Sequence, residues 1–304
     1  MCPKALEPAV IQSHLPKLES VGPCFAGGGF KSVYMATIGA KKEALKVIRI
    51  ERIADPDADL VDAFVEEQIS RVRREVEALQ KCRVAEMVKL GSIALVEFEE
   101  AGEKYVAYTE EYLAGHDLWH AIINHDALPP LSELVRLFRS LLVCVQELWG
   151  LGYVHRDIKP ANVMRTEDAA RPFVLMDLGI AYAVHEAGLT VKPELRMPLA
   201  THRYLAPEMM QPGFRGQLDF RTDLYTTGLT VFEYAAGQHP LARSADDLMR
   251  TITRALHQAP IPLKRLRADL PVEFCDLVDG MLKKKPALRP ANMKRLLEKL
   301  EALT

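Results

Sequence analysis

The spacing of the apolar residues changes along this chain, and that change limits the folds it can adopt. From Lys17 to Arg49 they form short runs separated by glycine-rich turns, which predicts three antiparallel strands. From Asp59 to Lys81 they recur at helical spacing, which predicts one long helix. Two further strands are predicted over Val88–Phe98 and Lys104–Tyr112, and helical patterns dominate after Leu131. The sequence therefore predicts an α+β fold with a strand-rich first lobe and a larger, mostly helical second lobe.

Composition excludes several classes of protein. The chain has 304 residues, is 49% hydrophobic and has a net charge of -2, so it can bury a large core and offers no single-sign field for nucleic acid or an anionic membrane. No apolar stretch is long enough for a membrane span, and the N-terminus lacks the pattern of a secretory signal. The five cysteines are scattered without a C-x-x-C pair, which favours reduced thiols. We expect a cytoplasmic protein with neither nucleic-acid binding nor membrane insertion.

Two short motifs carry recognisable chemistry. One is the nonapeptide His155-Arg156-Asp157-Ile158-Lys159-Pro160-Ala161-Asn162-Val163, and the other is the triplet Asp177-Leu178-Gly179. An Asp followed by an Asn five positions later, with a second Asp further on, supplies a proton acceptor and hard oxygen ligands for magnesium. With the motifs below, in this order, the chain resembles the eukaryotic-like (Hanks-type) serine/threonine protein kinases.

The resemblance covers almost the whole chain and implies a bilobal protein kinase-like fold. Residues 1–16 are then an N-terminal extension and 17–304 the kinase domain, with an N-lobe over about 17–112, a hinge over about 111–115 and a C-lobe over about 116–304. The activity implied is transfer of the γ-phosphoryl group of ATP to a serine or threonine hydroxyl of a protein. Autophosphorylation is compatible with that activity.

The catalytic loop residues receive the following roles from the resemblance. Asp157 is the base that accepts the proton of the substrate hydroxyl, and Lys159 neutralises charge on the transferring group. Asn162 and Asp177 hold Mg²⁺, for which Mn²⁺ is a substitute. Thr201 lies where serine/threonine kinases place a threonine near the catalytic Asp and Lys.

The phosphate-binding residues are predicted in the first lobe. Lys46 matches the lysine that contacts the ATP phosphates, and Glu75 is its expected helix partner, with Glu77 as the fallback. The glycine loop is the weakest match, because it keeps one of the three family glycines; its candidate residues are Phe25, Gly27, Gly28 and Gly29. Lys31 in this loop is similar to the lysine of the with-no-lysine kinases and is the alternative phosphate contact, but Lys46 is favoured because its neighbours are ordinary for the family.

The adenine-binding residues follow from the same alignment. Val33, Ala44 and Met164 map to the apolar residues above and below the ring, and Phe25 is a further candidate for this role. Glu111 and Leu113 map to the hinge, whose backbone hydrogen-bonds adenine. One register places Glu110 at the back of the pocket, and a register shifted by one residue places Thr109 there; a buried carboxylate at this position would need a partner.

The remaining motifs are structural or regulatory. Glu208 of Ala206-Pro207-Glu208 is expected to pair with Arg289, and Asp223 is expected to anchor the backbone of the catalytic loop. Arg156 matches the residue that receives an activation-loop phosphate, and we expect Thr190 to carry it.

Two alternatives stay open beside the protein kinase. A kinase-shaped, catalytically weak ATP-binding scaffold would explain the depleted glycine loop. A small-molecule kinase would share the lobes and the catalytic Asp but generally lacks the Ala206-Pro207-Glu208 segment.

Overall fold

The computed structural model describes residues 5–28, 30–52, 58–124, 127–178, 182–183, 202–210, 214, 218–243 and 245–303. The chain divides into two compact units. The first contains the described residues up to Lys81 together with Val88–Leu113, and the second contains Cys82–Met87 and the described residues from Ala114 onward. The first is rich in strands and the second is mostly helical, which confirms the α+β prediction. The domain limits drawn from the sequence stay predictions.

The first unit is built on a five-stranded antiparallel sheet in the order β1-β2-β3-β5-β4. Its strands are β1 (Ser20–Gly28), β2 (Lys31–Ile38), β3 (Lys41–Ile50), β4 (Val96–Glu100) and β5 (Glu103–Glu111). Gly39 and Ala40 both have positive φ, which forms the tight turn between β2 and β3 that the sequence predicts. The three predicted strands at the front of the chain are therefore confirmed.

Two helices accompany this sheet. The short helix α1 (Pro8–His14) places Ile11 in a core with Tyr34, Leu45 and Ala107. The long helix α2 (Ala58–Lys81) confirms the helix predicted from residue 59, and its buried apolar residues recur at helical spacing. They form one stripe: Val65, Ile69, Val72, Val76 and Leu79.

The second unit combines helices with short strands. The strands are β6 (Gly115–Asp117), β7 (Tyr153–Val154), β8 (Val163–Thr166), β9 (Phe173–Leu175) and β10 (Tyr182–Ala183). The helices are α3 (Leu118–Ile123), α4 (Leu131–Gly150), α5 (Phe220–Ala236), α6 (Leu248–His257), α7 (Leu263–Leu266), α8 (Val272–Met281) and α9 (Met293–Glu301). The buried helices α4 and α5 pack together, and strands β6, β8 and β9 form a sheet that carries the catalytic loop before β8. Within the described ranges, none of the helices has the length and apolar composition that a membrane span needs.

Two sequence predictions need correction. The strand expected over Val88–Phe98 begins only at Val96. The residues before it contact β5 through an isolated antiparallel bridge between Leu90 and Glu110, and Ser92 bends the backbone before β4 begins. Cys82, Cys144 and Cys275 are buried free thiols, but Cys24 is disulfide-bonded. The absence of C-x-x-C pairs does not exclude a disulfide bond, which is why that interpretation failed for Cys24.

Candidate active site

Lys46 lies on β3 and is almost completely buried, with 4% of its surface exposed. Its Nζ donates a hydrogen bond of 2.5 Å to Glu110 Oε1, and Glu75 Oε1 lies 3.7 Å away. The ammonium is also 5.3 Å from the centre of the Tyr108 ring, within the range of a cation–π contact. The predicted phosphate-binding lysine is thus held by two carboxylates, and the shorter contact is to the one on β5.

The position of Glu75 on α2 explains why it, rather than Glu77, reaches Lys46. Glu75 stands three residues after Val72 and four before Leu79, so it borders the buried apolar stripe of the helix. Glu75 is 3% exposed, whereas Glu77 lies on the solvent side and contacts Lys81. The structure therefore brings together Lys46 and the carboxylate that the sequence favoured.

The register of β3 against β5 separates the two candidates for the back of the adenine pocket. Ala44 pairs with Glu110 and Leu45 with Thr109, and residues directly opposite in an antiparallel sheet share a face. Glu110 is therefore on the face of Ala44 and Lys46. The Thr109 hydroxyl is on the other face, where it accepts a hydrogen bond from the Ile93 N–H at 2.9 Å.

The described residues of the predicted glycine loop and the neighbouring Val33 are on β1 and β2. Val33 pairs with Lys46 across β2 and β3, so both side chains point to the same side of the sheet. Phe25, Gly27 and Gly28 are exposed at the end of β1, and Gly29 lies outside the described residues. Lys31 begins β2 and is half-buried.

The predicted hinge residues lie at the end of the first unit. Glu111 ends β5, where its N–H donates to the Lys89 carbonyl at 2.9 Å and its carboxylate accepts the Lys89 N–H at 2.8 Å. Leu113 is half-buried two residues further on. Met164, in the second unit, is half-buried on β8, where it pairs with Val174.

The catalytic loop of the second unit holds the Asp157 carboxylate between two donors. Lys159 Nζ donates to Asp157 Oδ2 at 2.7 Å, and Asn162 Nδ2 donates to the same oxygen at 2.9 Å. Asn162 Nδ2 also donates to the Asp157 carbonyl at 2.8 Å. Burial raises the pKa of Asp157, against the opposing effect of Lys159. A carboxylate held in this way is suited to orient a hydroxyl and take its proton.

A second network fixes the backbone of the loop. Asp223, in the first turn of α5, accepts the His155 N–H at 2.7 Å and the Arg156 N–H at 2.8 Å. The His155 ring accepts the Asp157 N–H on Nδ1 and reaches the Met176 carbonyl through Nε2, 3.3 Å away. Burial lowers the pKa of His155 to about 4, so the ring is neutral and can accept at one nitrogen and donate at the other. Asp223 therefore contacts the loop as the sequence analysis expected.

Two residues in and after the catalytic loop have strained backbone conformations. Arg156 and Asp177 have φ values of 71° and 59°, which non-glycine residues rarely adopt. The Arg156 side chain lies over the Phe214 ring, with 5.4 Å between its guanidinium carbon and the ring centre.

Thr190 and Thr201, the predicted phosphorylation site and the predicted catalytic threonine, lie outside the described residues.

Asn162 and Asp177 are the two residues that the sequence predicts to hold a metal ion. The Asn162 carbonyl accepts the Met176 N–H at 2.8 Å, which ties the loop to the residue before Asp177. The amide nitrogen of Asn162 donates to Asp157, which leaves the amide oxygen to act as an acceptor or ligand, and the Asp177 residue is half-buried. These oxygens fit Mg²⁺, which commonly takes one or two protein ligands together with phosphates and waters. In the described ranges no cluster of three or more His, Cys, Asp or Glu side chains could hold a metal.

Glu208 and Arg289 form a buried, bidentate ion pair. Arg289 Nη1 donates to Glu208 Oε1 at 2.6 Å, and Nη2 donates to Oε2 at 2.8 Å. The Thr222 hydroxyl also donates to Glu208, and the Arg289 guanidinium lies over the Tyr225 ring. The structure thus brings together the two residues that the sequence analysis expected to pair.

The Lys46–Glu110 contact was missed by sequence reasoning, which named Glu110 only as a candidate for the back of the pocket. The signal was present, because a carboxylate predicted to be buried requires a partner and Lys46 is the cation expected on the neighbouring strand. The register that brings them together needed the structure.

Comparison with known proteins assigns the family. The protein kinase domain matches residues 25–300, so the chain belongs to the protein kinase family, in agreement with the resemblance drawn from its motifs.

Among curated relatives, the chain is 27% identical over 275 residues to a probable serine/threonine-protein kinase of Clostridium acetobutylicum, covering 90% of this chain and 38% of the relative. It is 29% identical to the serine/threonine-protein kinase pkn3 of Myxococcus xanthus, covering 86% and 45%. It is 27% identical to the serine/threonine-protein kinase PknL of Mycobacterium bovis, covering 91% and 63%. The chain thus spans less than two thirds of the length of each of these relatives.

Proposed function

We propose that this protein is a serine/threonine protein kinase that transfers the γ-phosphoryl group of ATP to a hydroxyl of a protein substrate. The observation that carries the proposal is the catalytic loop, in which Lys159 and Asn162 hold the Asp157 carboxylate at 2.7 and 2.9 Å. The names of the bacterial relatives support the serine/threonine class.

Each residue then has a role that its surroundings support. Asp157 orients the attacking hydroxyl and takes its proton, while Lys159 offsets negative charge on the transferring group. Lys46 contacts the phosphates, and Glu75 holds Lys46 in place. Bound Mg²⁺ supplies charge neutralisation of the phosphates, and Asn162 and Asp177 are the residues that would hold it, or Mn²⁺ in its place.

The two alternative functions make different predictions. A kinase-like scaffold that binds ATP is suggested by the missing glycines of the loop and by the hydrogen bond between Lys46 and Glu110. This alternative predicts ATP binding without phosphoryl transfer. A small-molecule kinase would not need Glu208 and Arg289, so the buried pair between them favours a protein substrate.

The proposal is tested by incubating the purified chain with γ-labelled ATP, Mg²⁺ and a generic protein substrate, followed by phosphoamino acid analysis. We expect phosphoserine or phosphothreonine, dependence on the divalent cation, and loss of label in Asn162→Ala. ATP binding without any transfer would favour the scaffold. Label on tyrosine alone would refute the substrate class.

A further inference from the structure

Lys46 forms a buried cluster in the first unit with two carboxylates, those of Glu75 and Glu110. Glu75 and Glu110 are both 3% exposed, and both approach the same ammonium. Counted over these three side chains in their ordinary charged forms, the cluster has one excess negative charge. An ATP phosphate that approaches Lys46 therefore meets carboxylates that already bind its cation.

The two carboxylates do not share Lys46 equally. Glu110 accepts a hydrogen bond of 2.5 Å, whereas Glu75 Oε1 is 3.7 Å away and has no hydrogen-bond partner among the described residues. An unsatisfied oxygen of this kind, fully buried, is costly. The side chain of Lys46 is thus displaced toward β5, away from the partner that its proposed role requires.

We propose that Glu110 is a positioning residue that competes with Glu75 and with the ATP phosphates for Lys46, and so weakens nucleotide binding. The inference rests on the proposed function. In a protein with ATP bound, Lys46 would move its hydrogen bond from Glu110 to Glu75 and phosphate, which its three N–H donors allow. Glu110 acts here through Lys46, not through contact with the base.

Glu110→Gln tests the competition because it keeps the shape of the side chain and removes its charge. We expect the variant to bind Mg²⁺ with a non-hydrolysable ATP analogue at least about fivefold more tightly than the wild type, measured by calorimetry. The KM for ATP should fall in proportion, with little change in kcat. Adenosine has no phosphates, so its affinity should stay the same in both proteins.

A matched control separates this effect from the loss of any buried carboxylate in the sheet. Glu43, on β3, is also a buried carboxylate of the sheet and is 5% exposed, but it is on the face opposite Lys46 and Glu110 and accepts hydrogen bonds from Ser92. Glu43→Gln should leave the affinity for the ATP analogue unchanged, provided that circular dichroism shows a folded protein. If Glu110→Gln does not fold, Glu110→Leu, an apolar side chain of similar size, takes its place in the same test.

The outcomes distinguish the inference from the proposed function. Wild-type affinity for the ATP analogue in folded Glu110→Gln would overturn the inference alone. An equal gain for adenosine and the analogue would also overturn it, because Glu110 would then act on the base. Absence of analogue binding in both proteins would refute the proposed function and the inference with it.

Discussion

Removal of the Arg289 side chain is predicted to destabilise the second unit strongly. All five N–H groups of the guanidinium have acceptors: two on Glu208 and three on the carbonyls of Arg221, Lys283 and Lys284, at 2.6 to 3.1 Å. The side chains of Arg289 and Glu208 are 0% and 11% exposed. Arg289→Ala leaves the Glu208 carboxylate almost buried beside Thr222, which is expected to cost about 3–5 kcal/mol of the free energy of unfolding.

Two further variants show which property of the pair matters. Arg289→Lys keeps the charge but has three donors instead of a planar fork of five, so it should recover only part of the loss. Glu208→Ala combined with Arg289→Ala should cost less than the sum of the two single changes, because the double variant leaves neither charge buried alone.

The measurement is urea unfolding followed by tryptophan fluorescence, since Trp119 and Trp149, the two tryptophans of the chain, are both in the second unit. Arg139→Ala is the control, because Arg139 is 47% exposed and its pairs with Glu86 and Glu301 should contribute at most about 1 kcal/mol. A loss below about 1 kcal/mol for Arg289→Ala, or full recovery by lysine, would refute this reasoning.

Three more predictions follow from the described contacts. Gly91→Ala places a methyl group 2.5 Å from oxygens of Glu43 and Thr109 and should cost about 1–3 kcal/mol in thermal unfolding. The same methyl in Gly150→Ala meets no atom within 4 Å apart from its chain neighbours and the backbone of its own helix, so it should cost nothing. The His155 ring should titrate near pH 4 by NMR. Because folding lowers its pKa from 6.5, its full contribution to the free energy of unfolding is present above pH 6.5 and is lost, by up to about 3 kcal/mol, as the pH falls toward 4. A titration near pH 6.5 would contradict its burial. Lys31→Gly should keep most of the kinase activity while Lys46→Met loses it, and the reverse result would reassign the phosphate contact.

Much of the first unit could be predicted because local patterns determine it. The turn residues Gly39 and Ala40 indicated where the β2–β3 hairpin reverses. The buried apolar residues of α2 recur at helical spacing, and that spacing places Glu75, but not Glu77, next to them. The segment from Val88 could not be predicted in the same way. Before Val96 it pairs with β5 only through an isolated bridge between Leu90 and Glu110, and the apolar pattern of a sequence does not show where a continuous ladder of backbone hydrogen bonds begins.

The pairing of Glu110 depended on strand register, which sequence alone left open by one residue. A shift of one residue exchanges Glu110 and Thr109 between the two faces of the sheet, so the partner of Lys46 changes with it. The catalytic loop was more predictable, since Asp157, Lys159 and Asn162 lie within six residues. The buried ring of His155 was not recognised as its support, because nothing local distinguishes a buried histidine from an exposed one.

The central claim is that Asp157 accepts the proton of the substrate hydroxyl during phosphoryl transfer. It is tested by the rate of γ-phosphoryl transfer to a serine/threonine substrate in Asp157→Asn, compared with Asp168→Asn, which alters an exposed turn carboxylate that accepts the Ala170 N–H. We predict at least about a 100-fold loss for Asp157→Asn with ATP still bound, and wild-type rates for Asp168→Asn. Transfer at the wild-type rate in Asp157→Asn would contradict the account.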